Sequence, residues 1–353
     1  MKYYVDEHIK NTERVFPRQN RYGCLRYDMN ENPEGLPKEF VDSVLKEITP
    51  EFLSIYPEPD KFLNKYANFI GAKYENVVAT NGSDMAIRYI LETFGKEGKN
   101  VVTVSPSFEM YWVNCNILGL KHKPVSYNED LTINIDNIVN AIDNDTRVVV
   151  LLNPNNPVGN VYTEEEFVKV LNKTKEVGAV LVVDEAYHYF YKNTFIEYAL
   201  KEENVIVLRT FSKLFSIAAV RLGVAISNPE IIKYIKNAKL TFDANAVALL
   251  FGERLLDNPN IYKELIRIQD EGKQYTLNDL KSKGYECRDC KGNFIFIKPK
   301  SNAKQVVMDL EEKYNVLVHG YSNSLLKDLI RVSTGSKKSM ETFLHYFYLA
   351  DKQ

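Results

Sequence analysis

A lysine between apolar neighbours is the most reactive group that the sequence offers. Lys213 stands in the segment 211–215, Phe-Ser-Lys-Leu-Phe, shortly after the apolar run 204–208, so the sequence predicts that it follows a buried strand. Most lysines only cover a surface, and this interpretation stays open for Lys213 alone. However, loss of water and nearby cations lower the pKa of an amine, which favours attack on a carbonyl. Arg221 offers such a cation and a ligand for phosphate, or an ordinary surface ion pair.

A carboxylate follows a second apolar run. Asp184 comes directly after 179–183 and can cap a helix, bind magnesium or pair with a cationic ring nitrogen. Magnesium binding of this kind requires a loop of the form G-x-x-x-x-G-K-[ST], and the segment 95–99 has the wrong spacing. Pyridoxal phosphate needs such a carboxylate, because a protonated pyridine nitrogen lets its ring accept electrons.

Two polar turns add weaker signals. The segment 80–84, Thr-Asn-Gly-Ser-Asp, joins a strand to a helix, where backbone N–H groups and the helix dipole favour phosphate. Ser83 and Asp84 are also ordinary capping residues, and without other signals capping is the simpler explanation. The turn 153–159 needs no function, yet Asn156 and the hydroxyl of Tyr187 can both bond a phenolate oxygen.

An α/β sheet would bring these residues together. From about residue 76, short β-rich runs alternate with amphipathic segments, and the predicted strands are 76–79, 100–104, 121–125, 147–152, 179–183, 204–208 and 222–226. Most are continuous apolar runs, as in strands covered on both faces. The segment 163–177 begins with a capping box, Thr163 and Glu166, and ends at Gly178. Ligands lie beyond the carboxyl ends of strands in such sheets, so four strand ends should converge on one crevice.

The pattern of predicted helices and strands changes after about residue 250. A charged helical stretch, 262–283, precedes the predicted strands 294–298 and 316–319 and a final helix near 339–350. The first 33 residues show no compact periodicity of their own. We therefore predict a large cofactor-binding domain, 34–250, and a smaller α+β domain built from 1–33 and 251–353.

Composition excludes several other classes. The chain has 353 residues with 45% hydrophobic and 26% charged residues, and its net charge of −2 gives no basic field for nucleic acid. Four cysteines indicate a reducing compartment, and Cys287 and Cys290 lack the second ligand pair of a zinc site, so we expect no metal. We find neither a signal-peptide core nor an apolar run able to span a bilayer, so the cytoplasm is the expected location.

Taken in order, the motifs resemble a known family. The chain resembles fold-type I pyridoxal-phosphate enzymes, specifically class I and II aminotransferases near the histidinol-phosphate aminotransferases. The segments that carry the resemblance are N-E-N-P (30–33), Y-P-E-P (56–59), N-G-S-D (81–84), P-S-F-E-M-Y (106–111), N-P-N-N-P-V-G (153–159), D-E-A-Y (184–187), F-S-K-L-F (211–215), R-L-G (221–223) and I-R-V-S-T-G (330–335). It implies an aspartate-aminotransferase-like fold, with a mostly parallel central sheet flanked by helices and a smaller α+β domain.

The resemblance implies a role for each matching residue. Lys213 would form the Schiff base and move the proton between the substrate α-carbon and the cofactor C4′. The cofactor's other contacts would come from Asp184 at the ring nitrogen, Asn156 and Tyr187 at the ring oxygen, Phe108 stacked on the ring, and Ser83, Asp84, Ser212 and Arg221 at the phosphate. Arg331 would bind the substrate's acidic group, with Asn32 and Tyr56 also at the substrate. Tyr56 would reach the phosphate of a second subunit, which implies a homodimer with shared active sites.

Departures from the family pattern leave the substrate open. His319 and Lys337 stand where relatives frequently have arginines, and Met85 stands where relatives often have an acidic residue. The expected activity is transamination between a small amine or amino acid, phosphorylated or not, and a 2-oxo acid. The alternative is decarboxylation of an amino-acid O-phosphate, because threonine-phosphate decarboxylases look similar at these motifs. A cofactor-binding regulator would need a separate basic DNA-binding segment, for which the chain has no spare length.

Overall fold

The computed structural model describes residues 3–12, 14 and 19–352. Its helices are α1 (Glu7–Lys10), α2 (Lys38–Leu45), α3 (Pro50–Ser54), α4 (Asp60–Phe69), α5 (Gly82–Phe94), α6 (Glu109–Ile117), α7 (Ile135–Ala141), α8 (Glu164–Val177), α9 (Ile196–Lys201), α10 (Pro229–Ala238), α11 (Ala246–Asp257), α12 (Pro259–Ser282), α13 (Ala303–Tyr314) and α14 (Lys337–Ala350). Its strands are β1 (Leu25–Arg26), β2 (Val77–Asn81), β3 (Asn100–Ser105), β4 (Lys121–Ser126), β5 (Thr146–Leu152), β6 (Val180–Asp184), β7 (Val205–Thr210), β8 (Leu222–Ile226), β9 (Glu286–Asp289), β10 (Phe294–Lys298), β11 (Val316–Leu317), β12 (His319–Gly320) and β13 (Ile330–Ser333).

A seven-stranded sheet forms the centre of the molecule, in the order β2-β8-β7-β6-β5-β3-β4. All seven predicted strands are present, and the predicted mostly parallel sheet is confirmed. Only β8 differs in direction, because it pairs antiparallel with both β2 and β7. The inner strand β7 is buried along its whole length, which fits the apolar sequence of its first four residues, 205–208. Helices cover both faces of the sheet, in two separate apolar clusters.

Local signals explain where several elements begin and end. The predicted capping box is present at α8: Thr163 accepts from the backbone N–H of Glu166, whose side chain accepts from that of Thr163. Gly178 ends the helix with a positive φ of 70°, a conformation that glycine adopts at little cost. The helix α8 connects β5 to β6, and these strands pair in parallel and so end at the same edge of the sheet.

Residues from both ends of the chain build the smaller sheets. One is antiparallel, in the order β12-β13-β10-β9, while β1 pairs in parallel with β11. The predicted strand 316–319 is wrong as one unit, because β11 and β12 belong to different sheets. The division at residue 250 stays a prediction, and it falls inside α11. None of the helices in the described ranges is long and apolar enough to span a membrane.

Candidate active site

Lys213 lies in the connection between β7 and β8, at the edge where the parallel strands end. Its Nζ donates to the backbone oxygen of Met29 over 2.8 Å and lies 5.9 Å from the centre of the Tyr187 ring. Desolvation, followed by the positive charges of Arg331 and Arg221, lowers the pKa of Lys213 to about 8. The amine is therefore far easier to deprotonate than a surface lysine.

Asp184 ends β6 and is buried. Its Oδ2 accepts from the Tyr111 hydroxyl over 2.9 Å, and its Oδ1 accepts from the backbone N–H of Ala186 over 3.0 Å. Desolvation raises the pKa of Asp184 to about 6, and the carboxylates of Asp84 and Glu185 add to this. A buried carboxylate with no cation at hydrogen-bond distance is suited to receive a protonated nitrogen from a ligand.

The start of α5 faces Arg221 across a gap too narrow for a side chain. Gly82 has a φ of 74°, and a Cβ there would overlap the Arg221 guanidinium. A Cβ at Gly223 would likewise overlap the backbone of Gly82 and Ser83. The guanidinium donates to the Asp84 carboxylate over 2.9 Å. Two glycines, an arginine and the N-terminus of a helix thus form a cradle suited to phosphate.

Ser212 belongs to the same cradle. Its hydroxyl accepts from Thr210 Oγ1 over 3.0 Å, and Nη1 of Arg221 lies 3.5 Å away. The structure therefore places four of the residues predicted to hold phosphate side by side, namely Ser83, Asp84, Ser212 and Arg221. The carboxylate of Asp84 pairs with the arginine, so only its backbone N–H is suited to an anion.

Arg331 lies on β13, and its positive charge acts on Lys213. The side chain is buried, and it donates to Asn156 Oδ1 over 2.5 Å and to the backbone oxygen of Asp28 over 2.6 Å. Its guanidinium carbon lies 5.7 Å from the centre of the Phe294 ring. No carboxylate is among these partners, so the guanidinium keeps a charge that an anionic substrate can neutralise.

The N-terminal segment 27–30 closes this side and was not predicted to do so. Asn30 donates to the Tyr187 hydroxyl over 2.9 Å, and its backbone N–H donates to Ser333 Oγ over 2.7 Å. Desolvation raises the pKa of Tyr187 to about 12, so its hydroxyl keeps its proton at neutral pH. The first asparagine of the N-E-N-P motif therefore orients Tyr187, although sequence reasoning assigned only the second, Asn32, to the site.

Three other predicted residues make contacts that differ from their predicted roles. The Asn32 amide donates to the backbone oxygen of Gly35 over 3.0 Å and to Ser216 Oγ over 2.8 Å, so its substrate role stays a prediction. Phe108 lies just before α6 and packs on the core under the sheet. Tyr56 is 71% exposed and stacks on Phe242, with ring centres 4.2 Å apart. Among the described residues, this contact of Tyr56 does not lead toward Lys213.

His319 and Lys337, which stand where relatives frequently have arginines, occupy different surroundings. His319 pairs with Arg331 across the strands β12 and β13. Desolvation and then the Arg331 charge lower the pKa of His319 to about 4, although the residue is exposed at the surface. Lys337 begins α14 and lies 5.2 Å from the centre of the Tyr275 ring. His319 is therefore a neutral neighbour of the arginine at physiological pH.

Comparison with known proteins identifies the family. A family model described as aminotransferase class I and II matches residues 24–347. This chain belongs to that family. A histidinol-phosphate aminotransferase of Clostridium novyi is 32% identical over 89% of this chain and 88% of its own, and one of Thermoanaerobacter sp. is 33% identical over 88% of each. The crystal structure of the Sinorhizobium meliloti histidinol-phosphate aminotransferase with pyridoxal-5′-phosphate has a TM-score of 0.89 at 20% identity, covering 99% of this chain and 98% of that one.

Aminotransferases of this class depend on pyridoxal phosphate, and the site fits that cofactor. The buried Asp184 carboxylate suits a ring nitrogen, and the glycine-lined cradle beside Arg221 suits the phosphate. The positive charges of Arg221, in that cradle, and of Arg331 both act on Lys213. Each part of the cofactor therefore meets a group of matching charge.

The low pKa of Lys213 predicts how the apoenzyme takes up its cofactor. Only the neutral amine attacks an aldehyde, so we expect the rate of covalent attachment to rise with pH up to about 8 and then to level off. Stopped-flow absorbance after mixing apoenzyme with pyridoxal phosphate measures this rate. In Arg331→Gln, which removes a nearby positive charge, the midpoint should move to higher pH. A rate that keeps rising to pH 10 would contradict the assignment.

Proposed function

We propose that this aminotransferase exchanges an amino group between a small amine with one anionic group and a 2-oxo acid. Histidinol phosphate with 2-oxoglutarate is the pair to test first, because relatives 28–33% identical over most of the chain carry that substrate in their names. The observation that supports the proposal most directly is Arg331, a buried guanidinium with no carboxylate partner that lowers the pKa of Lys213.

We assign the residue roles on the same basis. Bound pyridoxal phosphate supplies the electron sink that makes the substrate α-hydrogen acidic. We propose that Lys213 Nζ takes the proton from the α-carbon, since its lowered pKa leaves a neutral amine near physiological pH. Asp184 would hold the proton of the ring nitrogen, and Tyr187 and Asn156 would orient the ring through its oxygen. Arg331 would hold the substrate's anion, so that the α-carbon stays within reach of the lysine.

The half-reaction distinguishes this function from decarboxylation. Holoenzyme mixed with L-histidinol phosphate should convert to the pyridoxamine form, and added 2-oxoglutarate should restore the starting spectrum and yield glutamate. O-phosphothreonine serves as the comparison substrate. Release of carbon dioxide from it without any 2-oxo acid would favour the decarboxylase alternative. No spectral change with histidinol phosphate would overturn the proposed substrate while leaving the family assignment intact.

We further propose a homodimer in which Tyr56 completes the neighbouring site. Tyr56 and Phe242 form an exposed aromatic pair, and Leu53, Ile55 and Leu240 are exposed too, a patch typical of an interface. Asp243, which follows Phe242 in the chain, accepts from the backbone N–H of Asn81 over 2.8 Å, so this patch borders the phosphate cradle. A tyrosine from a second copy would thus lie near the phosphate.

Mixing inactive subunits tests the shared site. Tyr56→Ala and Lys213→Ala subunits, each inactive alone, should together restore one working site per heterodimer, because the lysine mutant supplies an intact Tyr56. Arg331→Ala mixed with Lys213→Ala should restore none, since Arg331 acts within its own chain. Activity of the refolded mixtures and light scattering measure the outcome. A monomer at working concentration, or full activity of Tyr56→Ala, would rule out sharing.

We propose the cytoplasm as the location of the enzyme. The structure leaves the thiols of Cys24, Cys115, Cys287 and Cys290 free, which fits a reducing compartment. Cell fractionation followed by immunoblotting tests this, and recovery in a secreted or membrane fraction would contradict it.

A further inference from the structure

The turn 289–293, between β9 and β10, contacts several loops of the site. The backbone N–H of Lys291 donates to the Gly159 oxygen over 3.0 Å, and the Asn293 amide donates to the Asn30 oxygen over 3.0 Å. The backbone N–H of Thr334 donates to the Asn293 oxygen over 2.8 Å. The turn therefore joins the 153–159 loop, the N-terminal segment and the end of β13.

Close packing reinforces these hydrogen bonds. Cys290 lies directly against Gly159, where even a Cβ would overlap it. Gly292 packs against the Tyr187 ring, because a Cβ at Gly292 would lie 3.1 Å from Tyr187 Cδ1. Any movement of the turn would therefore reach both Tyr187 and the loop that carries Asn156.

A buried lysine on α12 fixes the turn from behind. Lys273 Nζ donates to the backbone oxygen of Cys290, to that of Gly292 over 3.0 Å, and to Asp289 Oδ1 over 2.6 Å. Burying a lysine carries a desolvation cost, which these three acceptors offset. The neighbouring Gly272 packs so tightly on the Gly335 oxygen that the helix has little freedom there. The lysine is thus held on a rigid helix.

We propose that Lys273 is a positioning residue, which holds the 289–293 turn so that Tyr187 and Asn156 stay directed at the cofactor's ring oxygen. This inference rests on the proposed function, which assigns the roles of Tyr187 and Asn156. Without the ammonium group, two buried carbonyls lose their donor and the turn is free to move away from the site loops. The group itself touches neither cofactor nor substrate.

Thiol labelling of the holoenzyme tests the local part of this inference. Cys290 and Cys115 are both fully buried, with pKa values raised to about 12 by desolvation, and Cys115 lies in α6 away from the turn. In Lys273→Met we expect N-ethylmaleimide to label Cys290 roughly ten- to hundredfold faster, with Cys115 unchanged. Lys281→Met, an exposed lysine on the same helix, is the matched control and should change neither rate.

The colour of the bound cofactor tests the functional part. Donors to the ring oxygen stabilise its ionised form, so loosened Tyr187 and Asn156 should move the midpoint of the spectral pH titration upward in Lys273→Met. An unchanged midpoint would overturn the positioning role, as would unchanged labelling of Cys290. Equal acceleration at Cys290 and Cys115 would show a general loss of stability and would also overturn it.

A milder variant covers the case in which Lys273→Met does not fold. Asp289→Asn removes the half-exposed carboxylate partner and keeps both backbone acceptors, so the same two shifts should appear at smaller size. Their absence in Asp289→Asn would then overturn the inference. Labelling needs neither substrate nor turnover. Failure of unmodified enzyme to react with histidinol phosphate would therefore count against the proposed function only.

Discussion

Replacing Lys213 by alanine should abolish turnover and the visible absorbance of bound cofactor while leaving the fold intact. The side chain bonds only one backbone oxygen and is not part of an apolar cluster, so its loss costs little packing. As the group that takes and returns the substrate proton, it should account for a rate factor of about 10⁴. Absorbance spectra, steady-state assays and circular dichroism of Lys213→Ala measure the three outcomes.

The matched control for this variant is Lys263→Ala, an exposed lysine on α12. It should keep full absorbance and activity. Borohydride reduction followed by peptide mass spectrometry locates the attachment site directly. A reducible link between cofactor and the Lys213→Ala protein would place the attachment on another lysine.

Replacing Asp184 by asparagine should separate cofactor attachment from activity. The covalent link needs only Lys213, so Asp184→Asn should keep it. Turnover should fall about 10²- to 10³-fold, because the ring nitrogen loses the charge that keeps it protonated. Tyr111→Phe, which removes one hydrogen bond and leaves the carboxylate, should lose much less. Near-normal turnover of Asp184→Asn would refute the assignment.

The same change should make the apoenzyme more stable. Burial raises the pKa of Asp184 from 3.8 to about 6, so the ionised carboxylate destabilises the folded state above that pH. The asparagine variant should then gain up to about 3 kcal/mol in free energy of unfolding at pH 8. The gain should shrink from pH 6 downward and vanish below pH 4. Urea unfolding at pH 8 and at pH 4 measures the difference in free energy of unfolding between the variant and the unmodified protein. A variant that is less stable than the unmodified protein at pH 8 would contradict the prediction.

The elements of the large sheet were predictable because each strand has its own local signal. Apolar runs bounded by turns mark most of the seven strands, and the capping box marks α8; β4, with the sequence Lys-His-Lys-Pro-Val-Ser, is the polar exception. The direction of β8 was not predictable, because a continuous apolar run reads alike in parallel and antiparallel strands. The division of 316–319 into two strands was also not predictable, because β11 pairs with β1 near the start of the chain and β12 pairs with β13 near its end.

Site residues were predictable where a side chain comes at the end of an apolar run. They were not predictable where a backbone atom or a neighbouring side chain makes the contact. Lys213 follows β7 and Asp184 ends β6, so an apolar run precedes each of them, and their roles at the cofactor stay predictions. The backbone oxygens of Asp28 and Met29 carry no sequence signal, because every residue has one. Tyr111 is the last residue of the motif 106–111, but its bond to Asp184 depends on how α6 packs under the sheet, which the motif does not reveal.

The pairing of β1 with β11 has a consequence for the synthesis of the enzyme. Asn30 donates to both Tyr187 and Ser333, although residues 30 and 333 are about 300 residues apart in the chain. A growing polypeptide can complete the large sheet once residue 226 has been added, yet it lacks the partner of β1 until residue 316 and it lacks Arg331 until later still. We therefore expect ribosome-bound chains that end before residue 330 to be inactive, and cofactor capture to become productive only after residues 316–333 have been added.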